Sequence, residues 1–160
     1  MADDAVVIEH PNRETSASKA TKTAVILLLL ASAFLVAVVT IGGWDALEGA
    51  KGLQITFVVI YVVMAYYVAR WNRGVLPVAA ALAIMLFIFA VVSVPGWFAR
   101  DKAGFADPAL SADVLGLVTI LIAVLQLLLI AFAMQGFRQA WHVEVERYPE
   151  SPRRAAPAAG

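Results

Sequence analysis

The 160-residue chain contains no cysteine. Disulfides, thiolate nucleophiles, cysteine-ligated zinc and iron–sulfur clusters are excluded together. Charge is scarce and unevenly placed: Asp, Glu, Lys and Arg make up 15% of the residues, and four stretches, 23–44, 52–69, 74–99 and 114–137, hold none of them and no histidine. Ionisable groups inside a membrane are the usual marks of proton relays, ion paths and substrate sites. A b-type haem would lack an intramembrane axial ligand, since His10 and His142 both lie outside those stretches. Ser32 and Ser93 have no base at their depth, which argues against an intramembrane hydrolase. Zero net charge gives no nucleic-acid footprint. No catalytic residue, cofactor or metal site is therefore expected, and no enzyme activity.

What is present is apolar: 62% of the residues are hydrophobic, and the mean hydropathy is +0.82. At 1.5 Å per residue the shortest uncharged stretch covers about 27 Å, close to the ~30 Å hydrocarbon layer. All four read as transmembrane helices. The first ends at Gly42-Gly43, Asn72-Arg73-Gly74 forms a tight turn after the second, and Pro95-Gly96 closes the third. Nothing but Gly116 and Gly136 interrupts the fourth before Pro149, so it should project beyond the membrane as far as Tyr148. The expected fold is an all-α, four-helix antiparallel transmembrane bundle, residues 19–148, with helices at about 19–42, 49–71, 75–95 and 112–148. Residues 1–18 and 149–160, polar or rich in Pro, Ala and Arg, are expected to be disordered cytoplasmic tails. Ala31-Ser32-Ala33 has the look of a signal-peptide cleavage site, but the apolar run continues to Ile41, which suits an uncleaved anchor.

Orientation follows from the cations. Arg13, Lys19, Lys22, Arg70, Arg73, Arg138, Arg147, Arg153 and Arg154 fall on one face, against Lys51, Arg100 and Lys102 on the other. Both termini should be cytoplasmic, in a cell membrane. Trp44 and Trp97 fall at the outer ends of their spans, Trp71 and Trp141 at the inner ends, as interfacial anchors. Arginine outnumbers lysine eight to four, a bias compatible with a GC-rich bacterial genome.

Three polar residues, Ser32, Tyr61 and Gln126, lie near mid-membrane. Tyr61 and Gln126 need hydrogen-bond partners in hydrocarbon and should satisfy each other between helices, whereas Ser32 has its own helix backbone as an acceptor. Phe137, Trp141, Val145 and Tyr148 recur at spacings of four, four and three, which on a continuous helix makes one apolar stripe for a membrane surface or a partner protein. On the same helix His142 would pair with Glu146, and Glu144 with Arg147. The expected partners are the lipid bilayer and other membrane subunits or further copies of the chain. Two functional readings remain: an accessory or assembly subunit of a larger membrane complex, energy-transducing ones included, and a small oligomeric transporter or pore that works without an intramembrane charge.

Overall fold

The computed structural model describes residues 7–100 and 107–147. Its elements run β1 (Val7–Glu9), α1 (Pro11–Glu14), α2 (Ser16–Gly42), α3 (Lys51–Ala69), α4 (Val75–Phe98), α5 (Ala112–Arg138) and β2 (Val145–Arg147), with a 3-10 turn at Trp44–Ala46. The helices α2, α3, α4 and α5 are long and apolar enough to cross a membrane. They match the uncharged stretches because a buried backbone in lipid must bond to itself, and an uninterrupted apolar run does so as a helix.

Helix α5 packs most extensively on α4 and also on α2, and α2 packs on α3; the contact between α3 and α4 is much thinner than these. Small residues set the closest approach. Ala79 and Ala83 are fully covered in α4, and at Gly116 of α5 a Cβ would lie only 2.7 Å from the Phe98 ring. Outward-facing residues are apolar as well, among them Val59, Val62, Ile84, Ile88 and Val92, all exposed. Contiguous apolar surface of this kind is a liability in water and matched in lipid.

Two ends can be told apart by their long-range bonds. At one, which we call the terminal end, Arg73 Nε donates to Phe137 O at 2.8 Å, and the N-terminal segment bonds to residues 140 and 141. At the other, the loop end, Leu110 N donates to Gly42 O at 3.0 Å and Arg100 Nη2 to Ala46 O at 3.0 Å.

Several expectations need correction. Within residues 1–18, those described are ordered: Val7–Glu9 pairs antiparallel with Val145–Arg147, in the register Val7 with Arg147, Ile8 with Glu146 and Glu9 with Val145. The first long helix starts earlier than residue 19, and its cap is Thr15, whose Oγ1 accepts from Ser18 N at 3.2 Å. Helix α4 passes Pro95 and ends at Phe98, because Trp97 is buried, Phe98 seats on Gly116, and Ala99 N still donates to Pro95 O at 3.0 Å.

The last helix stops at Arg138 and does not reach Tyr148. Ala140 turns to φ 50°, in the left-handed region, and competing partners take the local carbonyls: Arg73 at Phe137 O, Asn12 Nδ2 at Ala140 O (3.1 Å) and Arg13 Nε at Trp141 O (2.8 Å). Val145 accordingly belongs to a strand, so the helical stripe does not form. Tyr148 and residues 149–160 lie outside the described residues. The pairs formed are also different: His142 Nδ1 lies 3.2 Å from Arg73 Nη1, His10 Nε2 lies 3.3 Å from Glu144 Oε1, and Arg147 Nε lies 3.0 Å from Glu9 Oε2.

An alanine in the left-handed region carries a Cβ–carbonyl clash of about 1–2 kcal/mol that glycine avoids, part of which the greater freedom of unfolded glycine takes back. Ala140→Gly should therefore stabilise the chain by about 0.5–1 kcal/mol. Thermal unfolding in detergent reads the effect, and a lowered midpoint would contradict the strain.

Candidate functional site

Three places concentrate polar chemistry: the mid-membrane layer, the terminal end and a crevice between α3 and α4. In the first, α2, α3 and α5 bring Ser32, Tyr61 and Gln126 together, all fully buried. The Tyr61 hydroxyl donates to Gln126 Oε1 at 2.8 Å, and Gln126 Nε2 donates to Ser32 Oγ at 3.0 Å and to Ile122 O at 3.1 Å. The arrangement is directional: the amide oxygen serves α3, and the amide nitrogen serves α2 and its own helix. Ser32 thus joins the layer as an acceptor, where the sequence suggested it would turn to its own backbone. Among the described residues no buried side-chain nitrogen or oxygen lacks a partner. Thr56 and Thr119 bond back to Gly52 O and Leu115 O, at 2.8 and 2.7 Å, and so satisfy their hydroxyls within their own helices.

At the terminal end Trp141 is a plug. It is fully buried, its ring stands edge-on to Trp71 with centroids 5.1 Å apart, and its Nε1 donates to Gln139 Oε1 at 3.0 Å. Gln139 Nε2 in turn donates to Thr21 Oγ1 on α2 at 3.0 Å. Gly136 makes room for the indole, since a Cβ there would lie 3.1 Å from Trp141 Cζ2. Trp71 closes α3 in a Schellman turn at φ 60°, with Asn72 N donating to Tyr67 O and Trp71 N to Val68 O, and the Lys22 ammonium sits 4.1 Å from its ring. Phe137 is covered by the Arg73 guanidinium, 3.9 Å from the ring centroid.

The four tryptophans therefore do not play one role. Trp44 is 45% exposed, in keeping with an interfacial position, and the Lys51 ammonium lies 4.6 Å from its ring. Trp97 and Trp141, by contrast, turn inward at 4% and 0% exposure and cannot offer their rings to headgroups. Sequence position alone could not assign the direction of their rings.

The crevice went unnoticed in the sequence. It is a cavity of about 360 Å³ at the loop end, walled by α3 and α4, with Val36 and Val39 of α2 and Thr119 and Ile122 of α5 behind it. Phe57 of α3 and Phe89 of α4 meet edge to face in its lining, centroids 6.3 Å apart, and Phe57 also packs edge to face with Tyr61 at 5.9 Å, so the lining adjoins the Ser32–Tyr61–Gln126 layer. Thr40 Oγ1 shares its proton between Val36 O at 2.7 Å and Gln54 Oε1 at 2.6 Å, which fixes the Gln54 amide in the wall. The signal that could have revealed it is glycine at 96 and serine at 93, small residues in the half of α4 that otherwise carries mostly larger side chains from Ile84 on.

No protein family matches the chain, and no curated protein or solved structure matches it either. Function must be argued from the geometry alone.

Substitution separates the two polar clusters energetically. Gln126→Leu strands the Tyr61 hydroxyl and removes the donor to Ser32, for an expected loss of about 1–3 kcal/mol. Trp141→Ala empties the plug and should cost about 3–5 kcal/mol, with faster proteolysis of the segment after Arg138. Thermal midpoints in detergent check both, and a neutral Gln126→Leu would mean the layer does not hold the helices together.

Proposed function

We propose that the chain is a non-catalytic accessory or assembly subunit of a larger complex in the cell membrane, embedded as an antiparallel four-helix bundle. The observation that carries this reading is the self-sufficiency of the core. Among the described residues its buried polar side chains are Ser18, Thr21, Ser32, Thr40, Tyr61, Thr119 and Gln126, none of them charged. At the centre Gln126 uses both ends of its amide on its own protein. Such a core supports helix packing and leaves no polar path for a solute, which favours a surface role over transport. The outward faces of α3 and α4 then supply the contact area, apolar and without internal partners of their own.

Both termini are assigned to the cytoplasm. Arg73 and Arg13 are drawn to the same end as Phe137 and Trp141, and Arg100 to the opposite one, so the lysine and arginine excess gathers where the positive-inside rule wants it.

Affinity purification of the tagged full chain in mild detergent, followed by mass spectrometry, should recover a stoichiometric set of membrane proteins. A chain that migrates alone overturns the accessory reading. A reporter fused after Tyr148 should give a cytoplasmic signal; a signal from the other side reverses the orientation without touching the first result.

A further inference from the structure

The terminal end gathers two cations around one tryptophan pair. The Lys22 ammonium of α2 lies 4.1 Å from the centroid of the Trp71 ring, and Trp71 stands edge-on to Trp141 at 5.1 Å. Arg13 Nε of α1 donates to Trp141 O at 2.8 Å. Lys22 and Arg13 are close enough for their charges to repel. Both side chains are partly buried, so water screens that repulsion less than it would at an open surface. Among the described residues the Nη groups of Arg13 and the ammonium of Lys22 have no hydrogen-bond acceptor. The ion pairs there are made by other groups, Glu9 with Arg147 and His10 with Glu144, and Glu14 is exposed and joins neither. Like charges held together without a counter-ion raise the free energy of the folded chain, and an anion bound between them removes that cost.

Depth narrows the choice of anion. Lys22 is the last charged residue before the uncharged stretch 23–44, which puts its ammonium where hydrocarbon gives way to headgroups. On the same helix face, at four-residue steps into the span, come Ile26 and Leu30, the first partly buried and the second exposed. The surface is therefore cationic at one end and apolar directly beneath. A phosphate suits the cationic end, since an ammonium takes it as a point charge and a guanidinium offers it a fork of donors. A hydrocarbon chain suits the rest.

We infer that Lys22 and Arg13 bind the phosphate of an anionic phospholipid, with an acyl chain lying along α2 over Ile26 and Leu30. Two neighbouring cations decide the net charge of the headgroup, and the apolar face beneath them decides for a lipid over a soluble phosphate. The inference rests on the helices lying in a bilayer and is independent of whether the chain has protein partners.

Lys22→Gln removes one charge at similar side-chain length, and Lys22→Arg keeps it. Arg13→Gln removes the other charge together with the bond to Trp141 O, so Lys22→Gln alone decides the point if Arg13→Gln lowers the thermal midpoint. Arg138→Gln, at an exposed cation closing α5 on the same end of the protein, separates a site from the general positive field there. The measurement is native mass spectrometry of the full chain in detergent with equal amounts of phosphatidylglycerol and phosphatidylcholine of identical chains. Thermal midpoints establish that each variant is folded.

The native chain should retain phosphatidylglycerol at about tenfold preference over phosphatidylcholine, the size of one charged hydrogen bond. Lys22→Gln and a folded Arg13→Gln should bind both lipids about equally, and Lys22→Arg should keep most of the preference. Arg138→Gln should behave as the native chain does. Equal retention of the two lipids by the native chain, an unchanged preference in Lys22→Gln, or an equal fall in Arg138→Gln overturns the assignment. So does displacement of the lipid by an equimolar amount of glycerol 3-phosphate, which carries a phosphate without chains and would make the ligand a soluble one.

Discussion

Hydrocarbon offers no hydrogen bonds, so each polar group taken into it has to find its partner inside the protein. The architecture follows from that constraint. It makes helices of the four uncharged stretches, and it makes Gln126 the centre of the middle layer, since a single amide has an acceptor and a donor to divide between α3 and α2. The same demand governs the helix ends. At the end of α5 and just beyond it, Arg73 takes the oxygen of Phe137, and Asn12 and Arg13 take those of Ala140 and Trp141. Because those donors come from the α3–α4 turn and from the N-terminal segment, closing one helix end ties together parts of the chain far apart in sequence.

Transmembrane spans are legible in a sequence because their cause is local. An uncharged run of about 18 residues or more has one stable arrangement in a bilayer, and no distant residue is needed to decide it. The pairing of Tyr61 with Gln126 was legible for a related reason: few polar side chains share that depth, so the choice of partners was small. The fate of residues 139–147 was not. Phe137, Trp141 and Val145 do have helical spacing, and the segment lacks glycine and proline. Termination came instead from partners at positions 12, 13 and 73, which no local pattern contains. One clue was present in the alternation Val143-Glu144-Val145-Glu146, a period of two with β-branched residues that fits a strand as well as a helix. Complementary charges pointed the same way, since His10 and Glu9 in the N-terminal segment meet Glu144 and Arg147 in the structure.

A two-stranded ribbon of three residues on each side is too small to be stable by itself, and its exposed ion pair contributes little. Its existence depends on the plug. Trp141 is buried against Trp71, and Arg13 and Asn12 are bound to the adjacent carbonyls, which holds the two chain segments within pairing distance. The ordering of the N-terminal segment is therefore a consequence of burying one indole. Gly136 is the permissive residue, because only a side chain without a Cβ lets that indole lie so close to α5.

The two ends of the protein consequently differ in kind. At the terminal end four helices, a ribbon and a tryptophan plug are bound by side chain-to-backbone bonds between distant segments. At the loop end α3 and α4 stand apart: their contact is far thinner than that of α4 with α5 or of α2 with α3, and a cavity of about 360 Å³ opens between them. Helix α3 is the shortest of the spans, 19 residues against 24 for α4, and the least buried of them. A short helix held firmly at one end and loosely at the other leaves its neighbour's inner face uncovered. In water, collapse of the apolar walls would close such a gap; in a bilayer the solvent is itself apolar and chain-like, so filling the gap with solvent carries no hydrophobic penalty. An open crevice is thus a stable outcome of folding in lipid.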